Sequence, residues 1–280
     1  MTKIIFIADF FANEIAGGGE LNNEEVISCL RNKGYEVETK NSRDCTADYL
    51  KNNQQCFFIV ANFIELHSSC LRFLEKLRYI IYEHDHKYIR SRNPASYKDY
   101  KAPETELINQ SFYHKAKAVL CQSTFHKSIL LKNLSNVNVI SLSGNAWSDS
   151  SLDLMEQLVN LEKADKCAIM NTTNWHKNTS GAVSYCKQKN YDYTLIDGCE
   201  YEQFLKQLSK NKKLVFFPQT PETLSRIVVE CRMMGMSVIT NDKVGASQEE
   251  WFKLKGKDLI DFMRTKKKGI ILTIERLVNE

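Results

Sequence analysis

Two glutamates, Glu222 and Glu230, stand eight residues apart in Pro221-Glu222-Thr-Leu-Ser-Arg-Ile-Val-Val-Glu230. The segment follows an apolar, strand-like run, Leu214-Val-Phe-Phe-Pro218, and reads as a helix. On a helix, eight residues is about 800° of rotation at 3.6 residues per turn, so both carboxylates fall close to one stripe. The first would stand at the helix mouth, where unpaired backbone N–H groups form a natural seat for phosphate. A carboxylate for hydroxyls, bare amides for a diphosphate and a second carboxylate further along suit a sugar nucleotide.

Three other clusters could do chemistry. Gly17-Gly18-Gly19-Glu20 follows the first apolar run and opens a helix, where glycines allow close backbone approach to a ligand. It is not G-x-G-x-x-G, and no acidic residue ends the next strand as a nicotinamide-binding site requires. Tyr82-Glu83-His84-Asp85-His86-Lys87 ends another strand-like run, so its side chains project from a sheet's carboxyl edge. His84 and His86 could ligate a metal, yet no third ligand stands at a matching spacing; a role at a reacting cleft is the expected one, with a structural histidine as its alternative. In Asn171-Thr-Thr-Asn174-Trp175-His176-Lys177-Asn178, Lys177 lies between a strand and a helix, placed to meet a diphosphate as a point charge or to sit as a surface lysine by a helix cap.

The elements that must position these groups alternate along the chain. Strands are expected at Lys3–Ala8, Tyr35–Thr39, Cys56–Ala61, Arg78–Tyr82, Ala116–Cys121 and Val137–Leu142, then at Lys166–Met170, Tyr193–Ile196, Leu214–Phe217 and Val238–Thr240. Helical patterns fall at Glu20–Lys33, Ser68–Leu77, Glu104–Lys115, Thr124–Leu134, Thr179–Lys189, Tyr201–Lys210, Leu224–Met234, Gln248–Lys253 and Leu259–Asn279. Such alternation predicts an α/β protein of two Rossmann-like, doubly wound domains facing across a cleft. The boundaries expected are 1–150, 151–258 and a C-terminal helix over 259–280 that packs back on the first domain, with Gly144-Asn-Ala-Trp-Ser-Asp-Ser-Ser breaking the pattern.

Composition agrees: 280 residues, 43% hydrophobic and 26% charged, belong to an ordinary globular chain of about two domains. No apolar run reaches the ~20 residues of a membrane span, and Asp9 interrupts the N-terminal run too early for a signal peptide. Nine cysteines without a C-x-x-C pair imply reduced thiols and a cytoplasmic setting. The net charge of +4 is modest, but Lys87–Lys101 alone carries five basic residues against Asp99, interleaved with Tyr88, Tyr97 and Tyr100. Basic groups neutralise phosphates and rings stack on bases, so this stretch reads either as a contact for DNA or as a solvated loop with its tyrosines packed underneath.

Taken together, the glycine loop, His84 after the fourth strand, Lys177 after the second domain's first strand and the E-x7-E pair resemble a retaining glycosyltransferase of the GT-B architecture, family-4 type, over nearly the whole chain. Ser237-Val-Ile-Thr followed by Val244-Gly245 continues the match. The resemblance implies transfer of a sugar from a nucleoside diphosphate sugar, a UDP-sugar above all, to an acceptor hydroxyl, with no bound metal. It implies that Glu222 holds sugar hydroxyls, Glu230 the ribose, the N–H groups of Thr223 and Leu224 the distal phosphate, and Lys177 the leaving diphosphate. Gly18 and Gly19 would approach the donor, and His84 or His86 the sugar near the acceptor. The acceptor itself stays open between a polysaccharide, lipid or small molecule and modified DNA. Two departures stand out: Thr172 occupies the place of a family arginine a few residues before the lysine, and Leu224-Ser225 replaces Phe-Gly. A sugar-nucleotide binder that does not turn over is the reading those departures motivate.

Overall fold

The computed structural model describes residues 2–15 and 17–280; Met1 and Ala16, the latter opening the glycine-rich stretch, lie outside the described residues. The chain divides into two compact units, one formed by the residues up to Ala146 together with Lys267–Glu280, the other by Trp147–Lys266.

The first unit is built on a six-stranded sheet of β1 (Ile4–Ala8), β2 (Val37–Asn41), β3 (Phe57–Val60), β4 (Arg78–Glu83), β5 (Val119–Cys121) and β6 (Val139–Ser141). The order is β2-β1-β3-β4-β5-β6 and every pairing is parallel. Its helices are α1 (Gly18–Asn32), α2 (Ala47–Asn52), α3 (Ser68–Leu74), α4 (Gln110–Lys115) and α5 (Thr124–Asn133). β1 and β3 are apolar at every position because a parallel sheet is covered on both faces. Alternate side chains feed separate cores: Ile5, Ile7, Phe58 and Ile81 on one face, Ile4, Phe6, Ile59 and Ile80 on the other with Val26, Ile27 and Leu30 of α1.

The second unit carries β7 (Ala164–Met170), β8 (Tyr193–Ile196), β9 (Asn211–Phe216) and β10 (Ser237–Thr240) in the order β10-β9-β7-β8, again all parallel. Its helices are α6 (Asp149–Val159), α7 (Thr179–Gln188), α8 (Tyr201–Ser209) and α9 (Arg226–Met233), followed by α10 (Lys257–Asn279). Leu259, Ile260 and Met263 of α10 belong to the second unit's core, whereas Ile270, Ile274 and Val278 belong to a core of the first.

Several elements differ from expectation for identifiable reasons. The stretch read as a break ends in the first turn of α6, because Ser148 accepts a hydrogen bond from the Ser151 amide at 3.1 Å and caps the helix. The polar cluster is a helix start. The helix expected over Glu104–Lys115 begins only at Gln110, after Asn109 takes φ 56°, and the one expected at Gln248–Lys253 is two short 3-10 turns, Gly245–Gln248 and Glu250–Lys253. The helix expected from Leu224 starts at Arg226, because Ser225 stands at φ 76°, ψ 89°.

That backbone conformation suits glycine and strains any residue with a Cβ. Ser225 is also buried, and its hydroxyl has no hydrogen-bond partner. Ser225→Gly is therefore expected to stabilise the second unit by about 1 kcal/mol. A raised thermal midpoint by calorimetry would bear this out; an unchanged or lowered midpoint would contradict the strain.

Candidate functional site

In the second unit the chain leaves β7 for β8 on one side and returns to β9 on the other, so the strand order reverses between the carboxyl ends of β7 and β9. Ligands of open α/β sheets bind at such reversals. Lys177 ends the 3-10 turn Trp175–Lys177 after β7, and Glu222 follows β9; their Nζ and Oε1 atoms are 2.8 Å apart. The side chains are 29% and 15% exposed, so the pair is reachable but partly desolvated.

Backbone and side-chain bonds hold the two loops that carry this pair. Asn178, at φ 55°, caps α7 through the Gly181 amide and donates to the Phe217 carbonyl at 3.0 Å. The Gln219 amide donates to the His176 carbonyl at 2.8 Å, and Lys177 Nζ lies 5.8 Å from the centre of the Phe216 ring. Glu222 is fixed by its main chain, donating to Lys243 at 2.8 Å and accepting from Gly245 at 3.0 Å. Val244 thus pairs with Glu222 through a single parallel bridge.

Glu222 and Glu230 do not share a helical stripe. Glu222 lies four residues before α9, on the extended segment that Ser225 terminates, and the rotation argument fails there. The two acids reach different surroundings. Glu222 faces Lys177, whereas Glu230 is 2% exposed in the second turn of α9. Its Oε1 accepts from Trp147 Nε1 at 2.9 Å, Tyr201 OH at 2.7 Å and Arg226 Nε at 3.2 Å. Thr223 and Leu224 form the turn ahead of α9; Thr223 is half-buried, while Leu224 sends its side chain into the core and accepts from the Ala246 amide at 3.0 Å. Thr172 stays close to β7, its amide 3.4 Å from Thr179 Oγ1.

The first unit has its own reversal of strand order, between β1 and β3. At the carboxyl ends of β1, β3 and β4 lies a cavity of about 430 Å³ lined by Asp9, Gly19, Glu20, Asn62, His84 and Asp85 among others. Gly19 belongs to the first turn of α1 and packs on His84, where an added Cβ would lie 3.6 Å from Cγ; Gly18 is exposed beside it. Burial, followed by the charge of Asp9, raises the Glu20 carboxyl above the usual carboxylate range. His84 is tightly held: Nε2 donates to Asn23 Oδ1 at 2.6 Å, and Nδ1 accepts from Gln122.

His86 goes elsewhere. It is 1% exposed, bonded to Tyr88 OH at 2.9 Å and edge-on to His126 at 5.2 Å. His126 is buried as well, and burial holds its imidazole well below the ordinary histidine value. Beneath the cavity, Glu83 and Lys87 form an ion pair at 2.5 Å with exposures of 0% and 2%, joined by Tyr113 OH and by Asn62 Oδ1, the latter 3.2 Å from Lys87 Nζ.

The basic stretch beyond is partly neutralised. Lys87 is consumed by Glu83, Arg92 pairs with Asp85 at 3.2 Å and Arg90 with Glu106 at 3.9 Å, leaving Lys98 and Lys101 exposed. Tyr88 is buried, Tyr97 packs on the core and Tyr100 lies edge-on to Phe125, so the rings turn inward. Local sequence held no signal for Trp147, Tyr201, Asn23 or Gln122, whose contacts to Glu230 or His84 are long-range. Only the i,i+4 spacing of Arg226 and Glu230 was legible.

Among the described residues no group of three or more His, Cys, Asp and Glu is arranged to hold a metal, and no helix is long and apolar enough to cross a membrane. The cysteines are free thiols, buried except for Cys29, which is half-buried, and Cys199, which is exposed.

Two Rossmann-like units, six- and four-stranded and wholly parallel, give this chain the GT-B fold. Neither a protein-family model nor a curated protein matches it in sequence. Among solved structures it is similar to Anabaena HepE in complex with UDP-glucose, at 11% identity over 99% of this chain and 92% of that one, TM-score 0.58. It is likewise similar to sucrose-phosphate synthase from Thermosynechococcus elongatus, at 10% identity, 99% and 98% coverage and TM-score 0.62. A third is an α-glucosyltransferase in complex with UDP and a 13-mer DNA containing an HMU base, at 10% identity, 99% and 92% coverage and TM-score 0.51.

Proposed function

We propose that this chain is a glycosyltransferase that moves a sugar from a nucleoside diphosphate donor, a UDP-sugar by preference, to an acceptor hydroxyl with retention of configuration. The observation that carries the reading is the Lys177–Glu222 pair at the strand-order reversal of the second sheet. It sets a cation and a hydroxyl acceptor side by side at the start of α9, where a sugar diphosphate needs both. Lys177 neutralises charge as the glycosidic C–O bond to the diphosphate breaks, Glu222 holds sugar hydroxyls and Glu230 the ribose. The N–H groups of Thr223 and Leu224 face the distal phosphate. The acceptor oxygen bonds to the anomeric carbon and its proton passes to the departing phosphate. His84, with Gly18 and Gly19 behind it, stands on the acceptor side; His86 supports that wall from the core. The known structures with UDP, UDP-glucose or DNA on the same fold support the donor class.

For the acceptor, exposed Lys98 and Lys101 keep a DNA version alive, while the inward tyrosines remove its stacking platform. Retention on duplex that falls steeply with salt would favour it. The test of the main reading is a thermal-shift series with nucleoside diphosphate sugars, followed by transfer assays on Glu222→Ala. A donor at 100 times its dissociation constant should add ~2.7 kcal/mol of stability, and the variant should bind UDP yet lose transfer. Parental transfer rates in the variant would overturn the assignment, and donor binding without transfer or hydrolysis by the parent protein would leave a binding protein.

A further inference from the structure

We infer that Tyr201 and Trp147 are positioning residues for Glu230, fixing its carboxylate so that one oxygen is kept for a ligand's vicinal hydroxyls. The inference rests on the proposed reading that Glu230 meets the donor's ribose. Three donors from three elements converge on the same atom, Oε1: Trp147 Nε1 from the segment ahead of α6, Tyr201 OH from the first residue of α8 and Arg226 Nε from the first residue of α9. The four side chains form one closed cluster. The Arg226 guanidinium lies 4.5 Å from the centre of the Trp147 ring, and its Nη2 donates to Tyr201 OH at 3.3 Å. Tyr201 therefore accepts from the cation and donates to the carboxylate. Burial, then the Glu230 charge, holds its phenol well above the ordinary tyrosine value, so it stays a donor at any working pH.

A buried carboxylate needs compensation, and a single arginine would supply it. Arg226 alone, however, would leave the carboxylate free to turn about its last torsion, whose well is broad. Two further donors on Oε1, one from the segment ahead of α6 and one from α8, remove that freedom. No donor among the described residues is bonded to Oε2, so the oxygen left over points the same way in every molecule. A fixed acceptor oxygen discriminates a hydroxyl from its absence, whereas a swivelling one does so weakly.

Calorimetric titration with UDP and 2′-deoxy-UDP tests this directly, on the full chain and on Tyr201→Phe and Trp147→Phe. The parent protein should bind UDP about tenfold or more tightly over the deoxy form, the worth of a hydrogen bond to a charged acceptor. Tyr201→Phe keeps the ring and removes only the hydroxyl; it should shrink that ratio several-fold while kcat at saturating donor changes little. Trp147→Phe should shrink it likewise, and stands in should Tyr201→Phe fail to fold. A purely structural role would weaken both nucleotides equally and leave the ratio intact; that result overturns the inference. So does a parent protein that binds both nucleotides alike. Failure of the parent to bind either one would instead overturn the donor reading on which the inference rests.

Discussion

Replacing Lys177 by methionine is expected to lower sugar transfer at saturating donor by roughly 10²–10³-fold, the cost of deleting one fixed group that stabilises developing charge. The loop after β7 brings Lys177 to the Glu222 carboxylate at 2.8 Å, and Thr172, a few residues earlier, offers no second charge. The protein should remain folded, because the pair is 29% and 15% exposed and such pairs contribute little to stability. Methionine also keeps the side-chain length over the Phe216 ring. Initial rates and UDP affinity separate the two effects of the substitution. Loss of both is the expected pattern, since phosphate is contacted in the bound donor and more strongly as it leaves. Lys177→Arg should recover part of the rate, as a charge is restored with different geometry. A methionine variant within twofold of the parent rate would remove Lys177 from the chemistry.

The largest effect on stability is expected at the Glu83–Lys87 pair. Both side chains are almost fully buried, at 0% and 2% exposure, and Lys87→Met leaves the carboxylate without its cation. Breaking a buried pair from one side costs about 3–5 kcal/mol. The loss should depend on pH with a definite sign. Burial raises the Glu83 carboxyl above its ordinary range, and Lys87 is the main influence that pulls it down. Removing Lys87 raises it further. A group whose folded value lies above its unfolded value favours folding below the unfolded value and loses that contribution as pH rises through the folded one. The deficit of Lys87→Met should therefore be smaller near pH 5 than near pH 8. Urea unfolding followed by far-ultraviolet circular dichroism at the two pH values gives the comparison; a deficit under ~1 kcal/mol, or one that grows on acidification, would contradict the account.

How far the sequence alone reaches depends on the range of the forces involved. Strands were legible because Ile4–Ala8 and Phe57–Val60 are apolar at every position, as a sheet covered on both faces requires. The second sheet's strands are buried only in part, as in β7 over Cys167-Ala-Ile, and were legible from short β-branched or aromatic runs between helical patterns. Lys177 and Glu222 were legible as candidates because each lies in the segment between a strand and the next helical pattern, although their contact across 45 positions was not. The shared helical stripe of Glu222 and Glu230 failed at one residue: a serine with positive φ gives no periodic signal of a break, and Leu224 continues the apolar spacing past it. The α6 helix was missed because Ser148-Asp149-Ser-Ser reads equally as linker and as cap, and only packing of Leu152, Met155 and Leu158 decides. Trp147 and Tyr201 lie 83 and 29 positions from Glu230, beyond any local pattern. His84 and His86 look alike in sequence. The strand's pleat and the following turn send one to the cavity wall and the other to the core beside His126.

The central claim is that a nucleoside diphosphate binds against Lys177 at the start of α9. A crystal structure of the protein with UDP tests it most directly. The account predicts a diphosphate in ion-pair contact with Lys177 Nζ, its distal phosphate before the first turn of α9 and its ribose against Glu230. Nucleotide bound elsewhere on the chain, with Lys177 still paired only to Glu222, would contradict it.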